Sequence, residues 1–275
     1  SELQFEQEFG NSFLGTGNTL INANTLLGLQ GHDALWSRDN VYLYQEPKKD
    51  HTYIMTVDVA KGRGRDFSTF SIIDVTEKPF KQVGIYRDNM VSPLLYADVL
   101  EKYGKMYNEA LIVIENNDSG QIVCNNLYYD IEYPNVFLES TVKASGVGVT
   151  MTRKVKQIGC STLKELMEEK KLMVIDKFTI NELVTFVAKG QSYEADGGNH
   201  DDLVMNLVLF SWFVTTPYFQ SLTDLELKKM LYDEQQQMIE DDMVPFGIID
   251  DGTDEDKTFK EGGDVWTVVK DVQVY

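Results

Sequence analysis

Cysteine is almost missing from this chain. Cys124 and Cys160 are the only two in 275 residues, too few for a disulfide framework, and no Cys/His spacing suggests a zinc site. A reducing, cytosolic compartment is the expectation. No apolar run approaches the roughly 20 residues that a membrane-spanning helix needs, so no membrane is expected among the partners. The first residues, SELQFEQEFG, are acidic and polar and do not resemble a signal peptide. No Met stands at position 1, so a fragment of a longer chain is expected. Internal repeats and long low-complexity segments are also absent. What remains is ordinary: 43% hydrophobic and 25% charged residues exclude global disorder. The length allows one large domain or two small ones, with a sizeable core.

Positive charge is scarce overall, but unevenly so. The net charge of −19 argues at first against nucleic acid. Residues 221–275 hold 15 Asp and Glu against 5 Lys, a net of −10, which leaves −9 for the other 220 residues. Within those, the 24 residues 141–164 carry Lys143, Arg153, Lys154, Lys156 and Lys164 and no acid at all. The bulk figure therefore hides a basic strip and an acidic tail.

Residues 1–50 show little periodicity and are broken by Gly10, Gly15, Gly17, Gly28 and Gly31. They are expected to be a lead-in packed on the main domain, with one short helix or strand at most. From Tyr53 the pattern sharpens. YIMTVD (Tyr53–Asp58), STFSIIDV (Ser68–Val75) and KQVGIY (Lys81–Tyr86) are β-rich runs joined by short turns, the first being KGRGRD (Lys61–Asp66). They predict an antiparallel meander. Ser92-Pro93 opens a helix whose expected apolar face is Leu95, Val99, Tyr103 and Met106. LIVIE (Leu111–Glu115) is fully apolar before its final acid and predicts a central strand buried on both faces.

A turn over Asn116–Gly120 leads into a helix with Ile122, Leu127 and Tyr128, and Asn135–Leu138 predicts a further strand. Gly146 and Gly148 among Val147, Val149 and Thr150 suggest a protruding hairpin. Thr162/Glu165 and Thr179/Glu182 fit two capping boxes, the first opening a helix to Lys171 and the second one through Ala188. Asp201–Val214 is apolar nearly all round, with acids at its start, and predicts a buried helix. One more helix is expected near 222–240, and VWTVV around Trp266 hints at a late strand.

Strand–strand–strand–helix–strand–helix–strand, followed by helices, is the ribonuclease H/resolvase-like order. It predicts an α/β fold with a mixed sheet, an antiparallel meander continued by parallel strands, and helices on both faces. Three acidic positions then fall together. Asp58 closes the first of these strands, Glu115 closes the fourth, and Asp201 and Asp202 open the late buried helix. In that topology the first and fourth strands are neighbours. Carboxylates converging there repel unless a cation sits between them. Hard oxygen donors without Cys or His select Mg²⁺ or Mn²⁺, one ion or two. Two such ions about 3.5–4 Å apart form the clamp used for in-line phosphoryl displacement. Each acid has a blander reading: Asp58 as a turn residue, Asp201 as the helix cap. Asp202, inside the first turn, is the better ligand. Asp66 and Asp118, in the two strand-end loops, and His200 are auxiliary candidates.

At these residues the sequence resembles the C-terminal nuclease domain of phage large terminase subunits, close to the T4-like myophage branch. The motifs that carry the resemblance are TVDVAKGRGRD (Thr56–Asp66), VIENNDSG (Val113–Gly120), KQIGCSTLKELMEEKKL (Lys156–Leu172) and GGNHDDLVMNLVLF (Gly197–Phe210). It implies a metal-dependent endonuclease that cuts double-stranded phage DNA during genome packaging in the host cell cytoplasm. It also implies that Asp58, Glu115 and Asp202, with Asp201 beside them, hold the metal. The family's ATPase precedes the nuclease, and no G-x-x-x-x-G-K-[ST] loop occurs here. The expected organisation is therefore a lead-in (1–50), a nuclease core (51–216) and an acidic extension (217–275), with the ATPase domain of the full-length chain absent. The portal and the small terminase subunit are expected partners beside DNA. Lys61, Arg63 and Arg65 are expected to meet phosphates near the metal, and Lys143, Arg153, Lys154 and Lys156 to line a DNA groove. A Holliday-junction resolvase or ribonuclease H-like nuclease would use the same carboxylates, and a non-catalytic portal-docking module is the alternative outside enzymes.

Overall fold

The computed structural model describes residues 18–141, 144–223, 258–261 and 264–267. Its centre is a mixed sheet built from β1 (Trp36–Arg38), β2 (Val41–Leu43), β3 (Tyr53–Asp58), β4 (Ser68–Asp74), β5 (Phe80–Asp88) and β6 (Leu111–Ile114), in the order β1-β2-β5-β4-β3-β6. The meander β3-β4-β5 is antiparallel, and β6 runs parallel to β3 with Ile54 opposite Leu111 and Val57 opposite Ile114. This is the ribonuclease H-like mixed sheet that the element order implied.

Two strands of the sheet come from the lead-in, which also contains helix α1 (Ala23–Leu27). The expectation of one short element there was too low. Val41 and Leu43 are buried on either side of Tyr42, an alternation too short to stand out beside so many glycines. The strand β6 ends the regular sheet rather than sitting at its centre. It is nonetheless covered, because Val136 and then Val149 pair alongside Ile112 and Glu115. Asn135–Leu138 is thus a brief run beside β6. Leu138 itself begins β7 (Leu138–Thr141), which pairs with β8 (Ala144–Val147) in a hairpin whose strands take in Gly146 and Val147 but not Gly148, Val149 or Thr150, so it lies earlier in the chain than expected. Lys143 lies outside the described residues.

Side-chain alternation along the strands feeds two cores. Met55, Val57, Phe70, Ile72, Ile112 and Ile114 face one way. There they meet α2 (Pro93–Met106), α3 (Gly120–Asn125) and the π-helical turn Asn126–Asp130 that continues it. Ile54, Ile73, Leu111 and Val113 face the other way, toward α4 (Arg153–Glu168), α5 (Lys177–Thr185) and α6 (Asp202–Val214). The short strand β9 (Leu172–Met173) joins α4 to α5 and pairs in parallel with β5. After α5 the chain forms the hairpin β10 (Phe186–Lys189) and β11 (Ser192–Ala195). Residues 217–223 are helical and bring Phe219 into the core; the rest of the helix expected near 222–240 lies outside the described residues. A separate unit, Leu227–Tyr275, contains an antiparallel hairpin of β12 (Thr258–Glu261) and β13 (Asp264–Thr267), where Phe259 stands opposite Trp266.

Three helices differ from expectation. Ser92 caps α2 as predicted, but the buried face is Tyr96, Ala97, Leu100, Tyr103 and Gly104, while Leu95 and Met106 are exposed. The helix α4 starts at Arg153 under Thr152, whose hydroxyl accepts from the Val155 amide at 3.2 Å. Thr162 and Glu165 therefore sit inside it, and their spacing is no capping box. The helix α5 is capped by Asp176 and ends at Thr185, so the residues to Ala188 that were expected to be helical are strand.

Gly159 disguised α4 because glycine weakens a helix by about 1 kcal/mol relative to alanine. Its reason is packing: a Cβ at 159 would lie 2.4 Å from the Val208 carbonyl oxygen of α6. Gly159→Ala should therefore destabilise by about 1–3 kcal/mol, the opposite sign to its helix propensity. Thermal unfolding measures this directly as a lowered midpoint.

Candidate metal and DNA site

Strand parity aims the first two acids. Ile54, Thr56 and Asp58 share one face of β3, as Leu111, Val113 and Glu115 do along β6 and just beyond it. One step past the last register pair, Asp58 and Glu115 stand side by side, and the Glu115 amide donates to the Val57 carbonyl at 2.9 Å. Their shared face is the one that α6 crosses, since Val204, Leu207 and Val208 pack on Ile54 and Val113. The start of α6 thus brings Asp202 to the same end of the sheet. Gly120 allows the turn that follows Glu115, because a Cβ there would lie 1.9 Å from the Glu115 carbonyl oxygen.

Asp202 is held at several points. Its Oδ2 accepts from the Phe67 amide at 3.3 Å and lies 3.5 Å from His200 Nδ1. Its backbone carbonyl accepts from the Thr69 hydroxyl at 3.1 Å, and that hydroxyl oxygen accepts from the Asn206 amide at 2.9 Å. His200 packs edge-on against Phe67. Asp201 occupies the N-cap position of α6, but its side chain makes no cap bond, so its capping reading does not hold.

The electrostatics are those of crowded carboxylates. Loss of solvent raises Asp58 well above the ordinary Asp range, and Glu115, Asp202 and Asp201 raise it further. Burial pushes Glu115 up to about 7, opposed by the Lys156 charge and by the Asn117 side chain. Burial likewise pushes Asp202 up to about 6, opposed by the Phe67 amide and His200. Among the described residues no three His, Cys, Asp or Glu side chains already converge on a single ion's coordination sphere. The donor set nevertheless suits a hard divalent cation: carboxylate oxygens, short of water and mutually repelling.

The other predicted residues are placed variously. Asp66 is exposed, in the loop between β3 and β4, and reaches Asp202 only through its charge. Asp118 is exposed and turned to Lys61, 3.6 Å away. Arg63 and Arg65 are exposed in the same loop as Lys61. Arg153 and Lys154 are exposed on the first turn of α4, and Arg153 donates to the Gln191 side chain on the β10–β11 turn. Lys156 is half-buried and close enough to lower Glu115. Sequence reasoning missed Phe67, Thr69, Arg87, Glu182 and Asn206. Only tertiary contact joins them to Asp202 or to its partners, and the one spacing that marked any of them, Thr179/Glu182, pointed to a capping box instead.

Each raised acid favours the folded protein only while protonated. The cost of burying the charged form is absent below the ordinary carboxyl values of 3.8 and 4.5 and grows as pH rises through about 6 for Asp202 and about 7 for Glu115. In EDTA the unfolding midpoint should therefore fall between pH 5 and pH 8. Asp58→Asn should flatten that fall and raise the midpoint at pH 8, both read by calorimetry across the pH series.

The family model described as the terminase RNase H-like domain matches residues 55–210, more than half of the chain. Among solved structures, the large terminase nuclease of thermophilic phage G20c with bound magnesium is 23% identical and has a TM-score of 0.59, covering 71% of this chain and 97% of its own. The cobalt-bound form of that nuclease is 22% identical with the same score and coverage. The large terminase nuclease domain of Thermus phage P74-26 is 23% identical with a TM-score of 0.54, covering 70% of this chain and 93% of its own. At these identities the structures attest the fold, and the family match attests the lineage: the chain belongs to the terminase RNase H-like domain family.

Proposed function

We propose that this chain is a metal-dependent endonuclease that cuts double-stranded DNA during phage genome packaging. The observation that carries the reading is the crowding of Asp58, Glu115 and Asp202 at one end of the sheet, each held above its ordinary pKa. Asp58, Glu115 and Asp202, with Asp201 beside them, would hold one or two Mg²⁺ or Mn²⁺ ions. The related G20c nuclease has been solved with magnesium and with cobalt. Held by these carboxylates, divalent ions would supply a lowered pKa for an attacking water and charge stabilisation for a leaving 3′ oxygen.

The chain's own residues do the rest. Strand ends fix Asp58 and Glu115, and the Phe67 amide with His200 orients the Asp202 carboxylate. Lys61, Arg63 and Arg65, on the loop after Asp58, meet the phosphates flanking the scissile bond. Arg153, Lys154 and Lys156 on α4 follow the duplex backbone, and Lys143 is assigned to the same groove. Contacts to phosphates alone give no choice of sequence, which suits cutting at variable positions. The ATPase domain of the full-length terminase, the portal and the small terminase subunit are the partners in this reading. The setting is the host cell cytoplasm during phage assembly.

A plasmid cleavage assay tests it. Linearisation should require Mg²⁺ or Mn²⁺, stop with EDTA, and fall in Asp58→Asn by more than the roughly 10- to 100-fold that loss of an outer partner costs a metal site. Preference for a four-way junction over linear duplex would select the resolvase reading instead, and inertness on every DNA would select the docking module. Arg153→Ala with Lys156→Ala should weaken duplex binding uniformly across sequences. The double change should lower the slope of log K against log salt by about 1.8, measured by fluorescence anisotropy.

A further inference from the structure

The first turn of α6 is capped from outside its own segment. First-turn amides have no partner within a helix, and the N-cap side chain normally accepts from one of them. Here the Leu203 and Val204 amides donate to Oε2 of Glu182, at 2.7 and 3.1 Å. Glu182 lies on α5, 21 residues before Leu203, with only 7% of its side chain exposed. Asp201, at the N-cap position, turns its Oδ2 to the Ala195 amide instead, at 3.3 Å. The second Glu182 oxygen, Oε1, lies 3.8 Å from Arg87 Nε, and the Arg87 guanidinium stacks 3.6 Å from the centre of the Phe67 ring. Phe67 is the residue whose amide holds Asp202.

This is a costly way to cap a helix. A carboxylate brought in from α5 must lose its solvent, and it sits close to Asp202. Burial, with the Asp202 charge second, pushes its pKa up to about 8. Asp201 is itself among the preferred capping residue types and stands at the right position. The arrangement makes sense if the carboxylates of Asp201 and Asp202 are needed for something else.

We propose that Glu182 is a positioning residue of the metal site. By capping α6 from α5 it releases Asp201 and Asp202 from capping, and it fixes the turn from which Asp202 faces Asp58 and Glu115. Arg87 and Phe67 tie the same cap to the amide that orients Asp202. The proposal rests on the metal-site reading above.

Mn²⁺ titration calorimetry and thermal unfolding of the whole chain test it without relying on cleavage. Asp176→Ala is the control. Asp176 is fully buried and caps α5, accepting from the Thr179 amide and hydroxyl at 2.6 Å each. Its loss should lower the unfolding midpoint and leave Mn²⁺ affinity within about twofold, because its side-chain hydrogen bonds go to Tyr44 and Thr179 and not to α6. Glu182→Ala should weaken Mn²⁺ binding about 10- to 100-fold. Glu182→Gln, whose side-chain oxygen can still accept from both amides, should recover most of that loss. Asp201→Ala in EDTA should leave the unfolding midpoint unchanged or raised, since Asp201 caps nothing and its charge adds to the repulsion. A Glu182→Ala protein that binds Mn²⁺ like wild type would overturn the proposal. So would a fall of more than about 5 °C for Asp201→Ala, a result that does not depend on whether Glu182→Ala folds. Wild type that binds no Mn²⁺ would overturn the metal-site reading itself.

Discussion

Parallel pairing of β3 with β6 is the constraint from which the site follows. The register that sets Val57 opposite Ile114 leaves Asp58 and Glu115 next to each other at the strand ends. Because side chains alternate, both acids share the face of Ile54 and Val113, and that face is covered by α6. A slip of one residue would send one acid into the opposite core, among Met55 and Ile112. The fully apolar runs before the two acids hold the register, since every residue from Tyr53 to Val57 and from Leu111 to Ile114 is buried.

The helix α6 answers this crowding at its N-terminal end. Two amides there are taken by Glu182, and the partial positive charge of the helix terminus faces the acids. That charge eases the repulsion without removing it, and Asp58 remains well above its ordinary pKa. Lys156 from α4 adds a full positive charge near Glu115. One flank of the site is thus tuned by a helix end and the other by a lysine.

The sheet was legible in the sequence because its strands are short apolar runs with polar turns between them. Tyr53–Asp58 was read to the residue and Ser68–Asp74 to within one. The buried helix with Asp202 in its first turn was legible for the same reason: its apolar residues go all round, as Leu203–Phe210 shows. Where the reading went astray, local rules were overridden from a distance. Gly159 looks like a breaker until Val208 is placed against it. Thr179 and Glu182 have the spacing of a capping box, but Asp176 takes the Thr179 amide and Glu182 turns to α6. The α2 face was set one step off, because Ala97 and Gly104 carry too little apolar surface to announce that they are buried.

The cap that α5 lends to α6 also ties the site to the order in which the chain closes. Asp58 closes β3 and Glu115 follows β6, so the two are set side by side by pairing within the first 115 residues. Asp202 takes its place only when residues far along the chain dock, and its first turn is completed by a side chain from a different helix. A nascent or partly opened chain therefore carries two of the acids without the third. Local detachment of α5 would unlatch α6 while leaving the sheet intact. The carboxylate cluster therefore depends, for its third member, on a contact between two helices that lie outside the sheet.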